Sequence, residues 1–418
     1  MKITIFAATN RAADSPSARI INLCGDGPYP PLLYFVQRFI GGQIARVRAA
    51  LVCLFSFLAL GQFCIRASCQ TPCKFTTLEE ISGTQHFNPK SVAVDADGNV
   101  YFPDAKKNVI CQMQPSGQIS IIAGKSGVSG SADGLGIQAS FCNPRGIAID
   151  ADDNIFVADT GNNTIRRITP SGRVTTVAGL AGTVGSLDGT GMYARFNYPA
   201  SIAVDRLGNV YVADLYNSII RKVNKRGVVT TIAGQPGIAG GADGKGYAAL
   251  FSFPICIAVD GLQNIYVADM LNNAIRKVTP AGVVTTLAGR LCYTPGSADG
   301  AGSCARFCHP CGVAVDNANN IYVSDSGNNT IRRIAPDGVV TTLAGLAGQS
   351  GSADGVGEAV RFGHPTALAI DHVGNLYVTD LDNATIRKGS PPPIGRKAPP
   401  HILADRQAGS SNIHLSPN

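Results

Sequence analysis

The chain has 418 residues, of which 45% are hydrophobic and 15% are charged, so it is long enough to bury the core of one large domain. Its formal net charge of +7 does not indicate a nucleic-acid-binding surface. The region from Lys74 to Lys388 holds 25 Lys and Arg against 25 Asp and Glu, so the excess charge lies outside it. Nucleic-acid binding requires a concentrated basic face, and we expect no nucleic-acid partner.

Residues 1–70 are predicted to be an N-terminal extension that contains a signal-like segment. Arg46 and Arg48 precede an apolar stretch at 49–60, and this order is typical of a secretory signal. About ten to seventeen apolar residues form a helix of roughly 15–25 Å, shorter than the ~30 Å hydrocarbon core of a membrane. A cleaved signal and a secreted or cell-surface location are therefore expected. The alternative is an uncleaved signal anchor, which is the only membrane attachment that we expect.

The dominant feature of the chain is an internal repeat of about 55 residues. Two aspartates mark every copy, nine residues apart. The first is Asp95, Asp150, Asp205, Asp260, Asp316 and Asp371; the second is Asp104, Asp159, Asp214, Asp269, Asp325 and Asp380. A period in this range predicts stacked supersecondary units, none of which buries its apolar face alone.

One copy, residues 143–179, predicts four short strands. GIAID and NIFVAD are apolar runs of strand length, and TIRRI and VTTVAG are rich in β-branched residues. Turn residues separate them. In this copy Asp153–Asn154 joins the first two strands, and Pro170 with Gly172 joins the last two.

The repeated motif P-x-G-I-A-V-D-x-x-G-N-I-Y-V-A-D-x-x-N-N-x-I-R-K resembles the NHL repeat, and the resemblance covers residues 87–388. It implies an all-β fold, a six-bladed β-propeller of four-stranded antiparallel blades. A propeller suits the pattern because radial repetition leaves only short, protected sheet edges.

Closure of the ring is predicted to use the N-terminus. The sixth copy lacks a fourth strand because Pro391–Pro393 follow its third strand, and proline cannot donate to a sheet ladder. Residues 74–82, KFTTLEEIS, resemble the fourth strand of the other copies. We expect this segment to complete the last blade, which gives a propeller over residues 74–389 and a disordered tail over 390–418.

Long connections follow each fourth strand and repeat the pattern S-A-D-G-x-G-x-x-A-x-F. Their phenylalanines are expected to anchor the chain to the core as it passes from one blade's outer edge to the next blade's inner strand: Phe141, Phe196, Phe251, Phe307 and Phe362. Loops on a rigid scaffold carry binding, so the face they cover is the candidate functional face.

The aspartates and the paired bases that recur in nearly every blade are interpreted as structural. The aspartates can accept hydrogen bonds from turn amides, and the bases can pair with them. The Asp-Gly turns offer one carboxylate per loop, whereas calcium takes six to eight oxygen ligands, so we expect no calcium site.

Residues that differ between copies are better candidates for a site. The residue before each blade's first proline and the residue after it enter the innermost strand, so they should ring the mouth of the central channel. The first set is Asn88, Asn143, Tyr198, Phe253, His309 and His364; the second is Lys90, Arg145, Ala200, Ile255, Cys311 and Thr366. From these we single out Asn143, Arg145, Tyr198, Phe253, His309 and His364 as a ligand-contacting rim. The alternative is an unconstrained surface.

The histidines allow a competing hypothesis, in which His309 and His364 share a zinc ion with His86 as a third ligand. Related propellers with a lyase or lactonase activity use a metal in the channel, and the resemblance therefore leaves a metal-dependent lyase or lactonase-like hydrolase as the alternative. Few carboxylates other than the repeated aspartates could serve as ligands for such a metal. The preferred expectation is a monomeric, non-catalytic extracellular binding module for a protein or carbohydrate partner, without cofactor or metal.

Four cysteines lie in or next to the one connection that carries an extra residue: Cys292, Cys304, Cys308 and Cys311. In a secreted chain this spacing predicts one or two local disulfides. A zinc site and free thiols are the alternatives, and the sequence does not determine the connectivity.

Overall fold

Each repeat folds into one antiparallel sheet in the computed structural model, which describes residues 73–78, 87–291 and 294–390. In blades 2 to 6 the second strand of the sheet is buried along its whole length, as in Ile265–Asp269, because neighbouring sheets cover both of its faces. The inner strands of adjacent sheets contact one another around a closed ring, in which blade 6 meets blade 1. The predicted six-bladed β-propeller is confirmed.

Four core strands succeed one another from the inner to the outer edge of each blade. They are Ala93–Val94, Val100–Asp104, Val109–Met113 and Ile119–Ala123 in blade 1; Ile147–Ile149, Ile155–Asp159, Thr164–Ile168 and Arg173–Ala178 in blade 2; Pro199–Val204, Val210–Asp214, Ile219–Val223 and Val228–Ala233 in blade 3; Pro254–Val259, Ile265–Asp269, Ala274–Val278 and Val283–Gly289 in blade 4; Pro310–Val315, Ile321–Asp325, Thr330–Ile334 and Val339–Ala344 in blade 5; and Pro365–Ile370, Leu376–Asp380, Thr385–Ser390 and Lys74–Thr77 in blade 6.

Five blades carry a fifth strand that the sequence did not predict. It has two residues and pairs with the outer strand of the blade: Gly134–Leu135, Gly189–Thr190, Gly244–Lys245, Gly300–Ala301 and Gly355–Val356 for blades 2 to 6. Each connection thus reaches the outer edge of the next blade before it returns inward. The prediction of four strands per blade missed this step, because a glycine and one variable residue carry no strand signal.

The described chain has no α-helix, and its helical segments are 3-10 turns of three residues: Gly136–Gln138, Thr160–Asn162, Gly191–Tyr193, Leu215–Asn217, Gly246–Ala248, Met270–Asn272, Gly302–Cys304, Ser326–Asn328 and Gly357–Ala359. None of the described helices could cross a membrane, since all are too short. The predicted signal-like segment at 49–60 and the tail beyond Ser390 lie outside the described residues, so both remain predictions.

The first aspartate of each copy closes the turn between the inner two strands. In blade 2, Oδ1 of Asp150 accepts hydrogen bonds from the backbone amides of Asp152 and Asn154, at 3.0 and 2.8 Å. The residue before the asparagine adopts a left-handed conformation, with a φ of 58° at Asp153 and 65° at Gln263, as a tight hairpin turn requires. These turns explain why aspartate and asparagine recur at a fixed spacing.

The ring closes where the sequence predicted. Lys74–Thr77 pairs with Thr385–Ser390 in an antiparallel register that sets Phe75 opposite Gly389. Phe75 is fully buried and meets the ring of Phe362 edge-on at a centroid distance of 5.2 Å. Glycine is required at the facing position, because a Cβ atom on Gly389 would lie 2.4 Å from the Phe75 ring.

Replacing Phe75 with alanine tests this closure. We expect Phe75→Ala to lower the free energy of unfolding by about 3–5 kcal/mol, since it empties a fully buried aromatic site at the seam. Thr76→Ala, on the exposed neighbouring residue of the same strand, should change it by less than about 0.5 kcal/mol. Denaturant unfolding of both variants measures the difference, and equal stabilities would contradict the assignment of the seam.

Candidate functional site

A buried arginine organises each of blades 2 to 6: Arg166, Arg221, Arg276, Arg332 and Arg387. In blade 4, Nη1 of Arg276 donates to Oδ2 of Asp269 at 2.7 Å and Nη2 donates to Oδ1 of Asp243 at 2.7 Å. Its guanidinium lies 5.3 Å from the ring centre of Phe251, which is fully buried. The predicted pairing of arginines with aspartates and the predicted burial of the phenylalanines are both confirmed.

In blades 2 to 6 the second aspartate of the copy also holds the loop that leads to the channel. Oδ1 of Asp269 accepts the backbone amide of Ser252 at 2.7 Å, and Oδ2 accepts Nδ2 of Asn272 at 2.7 Å. Burial raises the pKa of Asp269 to about 6, while Arg276 and these hydrogen bonds act in the opposite direction. The structural role predicted for these carboxylates is therefore confirmed.

The rim residues follow directly after this anchor. The amides of Tyr198 and His309 donate to Oδ1 of Asn163 and Asn273 in the preceding blade, each at 2.8 Å. Five rim residues have left-handed backbone conformations, which are rare for bulky side chains: Asn143, Tyr198, Phe253, His309 and His364, with φ between 48° and 59°. Strain of this kind is maintained by the surrounding hydrogen bonds and is common at binding sites.

The residues that follow the prolines meet at the mouth of the channel. A cavity of about 100 Å³ is lined by one such residue from each blade, Lys90, Arg145, Ala200, Ile255, Cys311 and Thr366, together with Ser91, Ser201, Cys256, Ala367 and Leu381. The mouth is cationic on the side of blades 1 and 2 and largely apolar on the side of blades 3 and 4.

An aromatic row extends from this mouth across blades 3 and 4. The guanidinium of Arg145 lies 4.8 Å from the ring centre of Tyr198, which stacks on Tyr216 at 4.6 Å. Tyr216 meets Phe253 edge-on at 5.8 Å and is 50% exposed. Tyr216 was not among the predicted rim residues, because it lies in the turn after the second strand and not beside a proline. The turn after the second strand also varies between copies, with Gly161, Leu271 and Gly327 at the equivalent position, and it could have revealed this residue.

Comparison with known proteins decides the family. The NHL repeat family matches residues 141–168, 196–222 and 307–334, within blades 2, 3 and 5 or the segments leading into them. This chain is an NHL-repeat β-propeller.

Its curated relatives are longer proteins. The propeller is similar to SUPPRESSOR OF QUENCHING 1, chloroplastic, of Arabidopsis thaliana, at 31% identity over 72% of this chain and 30% of that protein. It is similar to NHL repeat-containing protein 2 of Bos taurus, at 29% identity over 72% of this chain and 46% of that one, and to Teneurin-3 of Danio rerio, at 26% over 73% and 14%. The chain thus spans less than half the length of these relatives.

Solved structures agree on the fold. A protein of unknown function from Bacteroides thetaiotaomicron superposes with a TM-score of 0.58 at 19% identity, over 77% of this chain and 76% of that one. A gluconolactonase from Xanthomonas campestris superposes with a TM-score of 0.51 at 12% identity, over 79% and 97%. At these identities the likeness supports the propeller architecture alone.

The two rim histidines are exposed in neighbouring blades of the NHL propeller. Nδ1 of His309 lies 3.8 Å from Sγ of Cys308. Across the described residues, no three His, Cys, Asp or Glu side chains come together as a metal site would require. His86, the proposed third zinc ligand, lies outside the described residues.

The structure does not support the predicted disulfides for two of the four cysteines. Neither Cys308 nor Cys311 is bridged to a described cysteine. Sγ of Cys311 instead lies 3.8 Å from Sδ of Met270, and burial raises the pKa of its thiol to about 11. Cys304 is exposed, and Cys292 lies outside the described residues. The prediction was wrong for these two residues because it took the four clustered cysteines as one disulfide framework. Cys311 belongs to the inner strand and faces the channel mouth.

The buried arginines give a test of stability with a defined dependence on pH. Arg276→Met should cost about 3–5 kcal/mol, because it leaves the carboxylate of Asp269 buried without its cation. The pKa of Asp269 is already raised to about 6, so the protonated carboxyl stabilises the folded state. This stabilisation is complete below the ordinary pKa of aspartate and is lost as the pH rises through 6. Removing the cation raises the pKa further. The difference in the free energy of unfolding between Arg276→Met and the parent should therefore be larger at about pH 8 than at about pH 5.

Lys277→Met is the matched control, since Lys277 is the next residue of the same strand and is only partly buried. It should change the free energy of unfolding by less than about 1 kcal/mol at either pH. A cost for Arg276→Met that is the same at both pH values would show that the carboxylate is not the group left unsatisfied.

Proposed function

We propose that this NHL propeller is a non-catalytic binding module that presents its channel mouth and the surrounding loops to a protein or carbohydrate partner. The observation that carries the proposal is the combination of Lys90 and Arg145 with the half-exposed Tyr216, all on loops that a rigid ring of blades holds in place. Convergent polar groups beside aromatic surface are typical of ligand sites, and loops on a rigid scaffold are where binding residues concentrate.

The repeated acids and bases favour binding over catalysis. A general acid or base must be free to exchange a proton with a substrate, whereas Asp269 and its counterparts are buried and hydrogen-bonded within the blades. A catalytic zinc normally takes three protein ligands, and no such group lies among the described residues. The alternative, a metal-dependent lyase or lactonase-like hydrolase, would need His309 and His364 together with His86.

The signal-like segment at 49–60 supports a secreted or cell-surface location. The balanced charge between Lys74 and Lys388 supports a partner other than nucleic acid. We expect the propeller to act as a monomer, because the ring of inner strands is closed within one chain.

Binding assays with face-specific variants test the proposal. The full chain is screened against displayed random peptides and a glycan array, and each binder is then measured with Tyr216→Ser and Leu262→Ser. Leu262 is 73% exposed in the turn at the opposite end of the blade 4 inner strand, so it is the matched control. We expect Tyr216→Ser to weaken binding at least about tenfold and Leu262→Ser to leave it unchanged.

The opposite pattern, in which Leu262→Ser abolishes binding and Tyr216→Ser does not, would place the site on the other face. Metal analysis of the purified chain separates the two functions. One zinc or calcium ion per chain, lost in His309→Ala or His364→Ala together with hydrolase or lyase activity, would support the enzyme instead.

A further inference from the structure

Two cations lie together at the channel mouth without a carboxylate of their own. Neither Lys90 nor Arg145 forms an ion pair with any residue in the described part of the chain, and Nε of Arg145 is buried without a hydrogen-bond partner. Burial lowers the pKa of Lys90, and the charge of Arg145 lowers it further, while Asp382 and Asp104 act in the opposite direction.

Arg145 differs from the five arginines inside the blades in having no carboxylate partner, although their Nε atoms are likewise without a hydrogen bond. Each of those is held by two aspartates, as Arg276 is by Asp269 and Asp243. A partly buried arginine beside a lysine is instead an unfavourable arrangement for the free protein, because like charges repel more strongly where water is partly excluded. A bound anion would relieve the repulsion, and guanidinium with ammonium is a donor set suited to a carboxylate.

The surroundings of the two cations define what carries that carboxylate. Apolar side chains also line the mouth, Ala200 and Leu381 in the blades beside the two cations and Ile255 in blade 4, and the cavity of about 100 Å³ admits a group the size of one side chain. The row of Tyr198, Tyr216 and Phe253 begins at the guanidinium and leads outward. The hydroxyls of Ser201 and Thr366 also line the cavity, but they are already hydrogen-bonded to Cys256 and Thr379. An aliphatic carboxylate with apolar neighbours therefore matches the lining better than a hydroxyl-rich sugar does.

We propose that the channel mouth binds an acidic peptide segment, with one carboxylate between Lys90 and Arg145 and a neighbouring aromatic or aliphatic side chain on Tyr216 and Phe253. The inference rests on the proposed binding function and specifies its ligand class. The charge at the mouth selects the acid, and the aromatic row supplies the contact area. Specificity then requires both an acid and an adjacent apolar residue.

Fluorescence anisotropy with paired probes tests this proposal on the full chain. The first probe is a fluorescein-labelled, C-terminally amidated peptide, Gly-Ser-Phe-Asp-Phe-Gly, and the second replaces its Asp with Asn. We expect the acidic probe to bind at least about tenfold more tightly at ~50 mM salt, with a smaller ratio at ~500 mM because salt screens the charges.

The variants assign the contributions of the site residues. Arg145→Gln and Lys90→Gln should each reduce the affinity for the acidic probe toward that for the amide probe, whereas Lys245→Gln, at an exposed position on the outer edge of blade 4, should not. Tyr216→Ser should weaken both probes by the same factor. Thermal unfolding provides the folding control: because Lys90→Gln removes a like-charge neighbour, its melting temperature should equal or exceed that of the parent.

The outcomes separate the two proposals. Equal affinity for the acidic and amide probes, or unchanged affinity in Arg145→Gln, overturns the carboxylate site; if Tyr216→Ser still weakens binding, the proposed binding face stands. Tetragalacturonate, an acidic sugar, is measured in parallel. If it binds through Arg145 and the peptide does not, the ligand class is wrong. No binding by either peptide overturns this inference, and the display and array screens then decide the proposed function independently.

Discussion

The structure depends on the ion pair that a buried guanidinium forms with two aspartates from different parts of the repeat. Arg332 illustrates this: its carboxylate partners are Asp325, at the end of the second strand, and Asp299, in the connection before the blade. Isolated buried charges are unfavourable, so the arginine is stable only when all three segments are in place. One arginine thus links the blade's strands, the connection that leads into the blade and the rim loop. The same linkage is repeated in five blades.

Blade 1 departs from this arrangement. Cys111 occupies the position of the buried arginine, opposite Phe102. The ammonium of Lys107 lies 3.9 Å from Oδ2 of Asp104 and 4.0 Å from the ring centre of Phe87. An ammonium from the turn thus pairs with one aspartate beside an aromatic ring, whereas the guanidiniums of the other blades each bind two aspartates. The mouth residue Lys90 belongs to this same blade, so the departure from the repeat coincides with the cationic side of the channel.

Much of this architecture could be predicted from the sequence, because its signals are periodic. The spacing of the aspartates predicts six blades, and the prolines after Ser390 predict that residues near Phe75 complete the last one. The two-residue outer strands such as Gly134–Leu135 could not be predicted, since their pairing comes from the path of the connection and not from strand propensity. The row at Tyr216 was also missed, because stacking across two blades depends on tertiary distances that no single repeat contains. Cys311 was assigned to a disulfide because sequence proximity does not reveal on which side of a strand a thiol lies.

The seam of the ring has a consequence for how the chain folds. Thr77 donates its backbone amide to Asp354 at 2.9 Å, across 277 residues of sequence. The two parts of the seam are the first and the last of the propeller to be synthesised, so the ring cannot be completed before blade 6 has been made. Contacts so distant in sequence slow folding, and the strand that begins at Lys74 stays without its neighbours until blade 6 exists. The ring is therefore stabilised as a whole only once blade 6 is in place.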